Sequence, residues 1–128
     1  MKTKYLMVAS AAVMGLAGLA ALFLPAEILK NLQEPETAFQ KICIQMMGTL
    51  YLGFALMNWM AKTVLIGGIY SRPLAMGNFF HFLTGTLTLF KAMMNQPGLK
   101  YVWAVLLLYA IFAGCFGIVA FTSPSKKL

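Results

Sequence analysis

Four uncharged, apolar stretches decide what this chain can fold into. Residues 5–24, 42–61, 73–90 and 101–125 contain no Asp, Glu, Lys or Arg, and all three acidic residues, Glu27, Glu34 and Glu36, fall in one joint between them. A bilayer core of about 30 Å is crossed by roughly 20 such residues in an α-helix rising ~1.5 Å per residue. Backbone groups in hydrocarbon must find their partners within one helix or in a closed barrel, and these stretches are too long and too evenly apolar for barrel strands. A soluble domain of 128 residues could hide one such helix in its core. With 61% hydrophobic and 10% charged residues, too little polar surface remains to coat four of them. The expected fold is therefore all-α, an integral membrane four-helix bundle. It forms a single domain over residues 1–128, with spans near 5–24, 42–61, 73–94 and 101–122.

Orientation follows from the cations at the span ends. Lys2, Lys4, Lys62, Arg72, Lys126 and Lys127 fall on one side, while Lys30, Lys41, Lys91 and Lys100 share the other with the three glutamates. The first side is expected to be cytoplasmic, which puts both termini there. The formal charge of +7 does not point to nucleic acid, because the basic residues stand in ones and twos rather than on a common face. Anchoring to anionic lipid head groups accounts for them. The N-terminal run also fits a secretory signal, with small residues at Gly18-Leu19-Ala20. Leu22-Phe23-Leu24 carries it to full spanning length, so a retained span is expected. Cys43 lies at the outer end of the second span and Cys115 about fourteen residues into the fourth, too far apart in depth for a disulfide.

Small residues mark packing seams. Ala11, Gly15 and Gly18 share a face of the first span, and Ala110, Gly114 and Gly117 repeat the device in the fourth. After Pro25, residues 26–40 are expected to include a short helix lying on the outer surface. Residues 63–71 are too apolar for a solvated loop and too short to span. They either continue the second helix or lie in the cytoplasmic interface, broken at Gly67-Gly68, and the interfacial course is the expected one. Pro73 suits a first helical turn, and Asn95-Gln96-Pro97-Gly98 reads as a turn between antiparallel helices.

Polar residues inside spans are costly and turn towards the bundle, a water cavity or one another. Asn78, His81, Gly85 and Thr88 recur at three- and four-residue intervals in the third span, and Asn58 and Trp59 reach a similar depth near the cytoplasmic end of the second. With Lys62 and Arg72 above them, these residues define a candidate shallow pocket open to the cytoplasm. The competing reading is that Asn and His bond across helices and fix their packing. His81 is the only histidine, and with the glutamates on the opposite side no metal site is expected. No cofactor is expected either. Ten methionines, including the Met46-Met47 and Met93-Met94 pairs, read as core filler rather than soft-metal ligands.

The first span has no carboxylate of the kind small multidrug transporters use for proton coupling, and the cysteines are not paired as in quinone-linked thiol oxidoreductases. The layout resembles that of the DoxX-like group of small four-span bacterial membrane proteins. The resemblance rests on the span count, on Gly48-Thr49-Leu50-Tyr51-Leu52-Gly53 running into Asn58-Trp59, and on Gly77-Asn78 with His81. It implies a multi-pass protein of the bacterial inner membrane, and it carries over no catalytic residue. No activated nucleophile, paired carboxylate or metal cage is visible, so an enzyme ranks last. The leading expectation is a non-enzymatic accessory or binding component. It would hold a lipid, quinone or other amphiphile through Asn58, Trp59, Asn78 and His81, with Lys62 and Arg72 meeting an anionic head group. The rivals are a structural subunit of a larger membrane complex and a small oligomeric transporter or channel.

Overall fold

The charge-free stretches become long helices, paired antiparallel by short connections. The computed structural model describes residues 2–63, 72–98 and 100–122. Among them lie α1 (Lys2–Phe23), α2 (Pro25–Asn31), α3 (Ala38–Met60), a single 3₁₀ turn (Ala61–Thr63), α4 (Arg72–Asn95) and α5 (Val102–Phe121). The chain divides into two compact units, residues 1–63 and 64–128. Among the described residues the all-α expectation holds, and three helices, α1, α3 with its 3₁₀ turn, and α5, are long and apolar enough to cross a membrane. At 24 residues α4 is as long as these, but Arg72, Asn78, His81, Lys91 and Asn95 leave it less apolar. The interfacial segment expected at residues 63–71 falls outside the described residues from 64 onward, and Thr63 closes the 3₁₀ turn.

In the first unit α1 and α3 pack along their length with α2 at one end. Pro25 has no N–H to offer and so starts a new helix, α2, which buries Leu29. This is the short helix expected after the first span. It stops in a Schellman arrangement, in which Gln33 N–H donates to Lys30 C=O (3.1 Å) and Glu34 N–H to Leu29 C=O (2.9 Å). Gln33 takes φ 58°, a left-handed position usually given to Gly. Thr37 then opens α3 with a capping box. Its hydroxyl accepts from Gln40 N–H at 3.2 Å, and Gln40 Oε1 accepts from Thr37 N–H at 3.4 Å.

The α1–α3 contact is made at backbone distance. A Cβ on Gly18 would stand 2.9 Å from Gly48 C=O, and one on Gly48 would stand 2.8 Å from Gly18 C=O. Only glycine at both positions lets the two backbones approach this closely, which is how helices gain contact where lipid supplies no hydrophobic drive. Ala11 is buried, and Gly15 lies opposite Ala55, at 3.6 Å from its Cβ to a Cβ placed on the glycine. The first expected seam is therefore a packing seam.

The second unit is built differently. Here α4 and α5 are joined by side-chain rings rather than backbone contact. Phe82 is buried and stacks on Phe112 and Phe116 at centroid distances of 4.9 and 5.7 Å. Each such pair contributes about 0.5–1.5 kcal/mol beyond burial. Of the expected seam in α5, Gly117 alone is filled, by the ring of Phe79, while Ala110 and Gly114 lie on the exposed face with nothing within 4 Å of a Cβ built on Gly114. In this pair a glycine therefore serves to seat a ring rather than to bring two backbones together.

Candidate functional site

Polar side chains in the first unit fasten α3 to α1 at both ends of their contact. Asn58 and Ser10 are fully buried, and Asn58 Nδ2 donates to Ser10 Oγ at 3.0 Å. The Ser10 hydroxyl in turn donates to Met7 C=O at 3.0 Å in its own helix. At the other end Gln45 Nε2 donates to Leu22 C=O at 3.3 Å. Interhelical bonds of this kind contribute about 0.6–2 kcal/mol each in a membrane. Asn58 thus takes part in holding α3 against α1.

Trp59 follows Asn58 by about 100° around the helix and turns outward. It is half exposed, and the Lys62 ammonium lies 3.2 Å from the centroid of its ring. A cation over an indole face is held by the ring quadrupole. Asn58 therefore faces α1, whereas Trp59 and Lys62 form a pair on the surface of this unit.

In the second unit Arg72 is exposed at the first residue of α4. Asn78 is fully buried and donates from Nδ2 to Leu74 C=O at 3.0 Å, one turn back. His81, one turn further on, is half-buried, and its Nε2 lies 3.3 Å from the hydroxyl of Tyr109 on α5. The tautomer of His81 decides which of the two donates. The Tyr109 ring meets His81 at 5.5 Å and Phe82 edge-on at 5.1 Å.

Gly85 makes this possible, since a Cβ there would sit 2.6 Å from the Tyr109 ring. It is a notch for the phenol rather than part of a polar lining. Thr88, expected on the same polar face, is exposed and donates to Thr84 C=O at 2.8 Å. Thr84 and Thr86 likewise donate to Phe80 and Phe82 C=O. Hydroxyls held by their own helix in this way add little to a pocket.

Two participants were missed in the sequence, Ser10 and Tyr109. Each is a hydroxyl in an otherwise apolar stretch, and a buried hydroxyl needs a partner. That need was the available signal. Chemically, the His81–Tyr109 pair is an imidazole fixed by a phenol at the edge of an aromatic cluster, its nitrogens and the hydroxyl able to donate to or accept from a polar group brought in among apolar rings. No protein-family model, curated protein or solved structure matches this chain.

Proposed function

We propose that this chain is a non-enzymatic, four-span protein of the bacterial cytoplasmic membrane, a binding or accessory component that holds an amphiphile reached from the cytoplasmic leaflet. α4 serves as the fourth span, and the distribution of cations puts both termini in the cytoplasm. The observation that carries the reading is the His81–Tyr109 pair. It is a half-buried titratable ring, held at 3.3 Å by a phenol seated in the Gly85 notch, beside stacked aromatic faces. Such a setting suits a molecule with a polar oxygen on an apolar body, such as a quinone or a lipid. Asn78 fixes α4 locally, Asn58 locks α3 to α1, and Arg72 at the start of α4 attracts anionic head groups. The DoxX-like layout agrees with this placement as a resemblance in span count and short motifs.

Native mass spectrometry of the protein extracted with its surrounding membrane tests the reading. The wild type is expected to retain a small molecule of defined mass, with His81→Ala losing it and Tyr109→Phe retaining less. An identical adduct on all three proteins, or none on the wild type, overturns the reading. A heteromeric mass without the adduct would replace it with the structural-subunit reading.

A further inference from the structure

The end of α3 carries a cation with no carboxylate of its own unit near it. Lys62 sits above Trp59 at 3.2 Å, and the helix C-terminus beneath it favours positive charge. All three acidic residues lie between positions 27 and 36, beyond the other end of α3. Along that helix, Lys62 stands about 36 Å from Ala38 at ~1.5 Å per residue. Glu36 is already paired with Lys41 at 3.4 Å. An ammonium has three N–H donors, and an indole face holds it electrostatically while leaving N–H groups for a true acceptor. The Lys62 ammonium therefore keeps N–H groups with which it can meet an anion.

The surroundings say which anion. Trp59 is half exposed, and Leu56 and Met60, three residues before it and one after, are exposed by 60% and 68%. Both stand within about one helical turn of Trp59 and offer an acyl chain an exposed apolar surface, from which a free phosphate ion would gain nothing. We propose that Trp59 and Lys62 form a binding position for the phosphate of an anionic phospholipid, with Leu56 and Met60 against its acyl chain. The position lies wholly in the first unit and shares with the amphiphile reading only the membrane placement of this end of the chain.

The test reconstitutes the full chain in nanodiscs of mixed phosphatidylglycerol and phosphatidylcholine and counts the lipids retained by native mass spectrometry. Wild-type protein is expected to prefer phosphatidylglycerol. Lys62→Gln should lower that preference about fivefold, and Trp59→Leu about threefold through loss of the ring that positions the ammonium. Lys30→Gln, among the glutamates, should leave it unchanged. In a Trp103→Phe background, brominated phosphatidylglycerol should quench Trp59 fluorescence more than brominated phosphatidylcholine does, a readout that leaves the site itself intact. Equal retention by wild type, Lys62→Gln and Trp59→Leu, or equal quenching by the two lipids, overturns the proposal. So does release of the lipid by millimolar inorganic phosphate, which would make this a phosphate site. Because His81 is intact throughout, failure here is distinct from failure at the His81–Tyr109 pair.

Discussion

Gln33 holds the left-handed position that ends α2, at φ 58°. A side chain there costs roughly 1–2 kcal/mol relative to its ordinary conformations. Gln33→Gly is therefore expected to stabilise the protein by about 0.5–1 kcal/mol, the relief being partly offset by the freer unfolded chain. Denaturant titration of helicity in detergent would register the gain, and a loss would mean that the Gln33 side chain does something its backbone geometry does not reveal. Tyr109 is a second single-residue test. Tyr109→Phe keeps the ring in the Gly85 notch and removes only the hydroxyl facing His81. The expected cost is about 0.5–2 kcal/mol, together with a changed nitrogen resonance of His81 in labelled protein. An unmoved resonance would separate the two side chains. His81 was legible as the lone histidine in an uncharged, largely apolar stretch. That Tyr109 faces it was not, because the partner across a helix pair depends on how the two helices are registered, and neither sequence states that alone.

Between helices, the two units solve the same problem with opposite means. α1 and α3 meet at Gly18 and Gly48, where any Cβ would run into backbone, and backbone cannot rotate away. Gly48→Ala is expected to destabilise the first unit by about 1–3 kcal/mol, as overpacking does. Gly53, five residues on, meets nothing within 4 Å, and Gly53→Ala should leave stability unchanged or raise it by up to about 1 kcal/mol. Unfolding titrations of the two variants side by side check the contrast, and equal effects would remove the backbone contact as the source of cohesion. The Ala11–Gly15–Gly18 stripe was readable because its partner also needed to be small. The matching stripe in α5 does not serve the α4–α5 pair as a whole, since Ala110 and Gly114 have the right spacing but face away from α4, and only Gly117 meets it, at the Phe79 ring. Spacing shows that residues share a face, and the bulk of the opposing helix decides whether that face can close.

At the scale of the whole chain, the long helices follow directly from the uncharged stretches, because apolar runs of that length bury best as helices. Sidedness rests on the cations alone and is open to direct measurement. With both native cysteines changed to serine, Glu34→Cys in the acidic joint should be labelled in intact cells by a membrane-impermeant maleimide, and a fluorescent protein fused to the C-terminus should mature in the cytoplasm. The reverse pattern would invert the proposed topology. The pocket read in the sequence rests on depth along the helices. It combined Asn58, Trp59, Asn78 and His81 by depth, and depth leaves rotation about each helix axis unspecified, so that Asn58 turns to Ser10 while its neighbour Trp59 turns to Lys62.

The uneven apolarity of α4 and α5 also bears on how the protein is made. A ribosome delivers α4 to the insertion machinery first, and α4 is the least apolar of the long helices, with Asn78 buried and His81 half-buried along it. On the proposed placement of α4 as the fourth span, its threonines would soften the cost of entry by bonding to their own helix, while Asn78 and His81 would remain expensive in hydrocarbon. α5 is the most apolar helix of the chain and brings Tyr109 to His81. The later segment would then recruit the earlier one, with α4 waiting at the membrane surface until α5 emerges and the two enter as a hairpin.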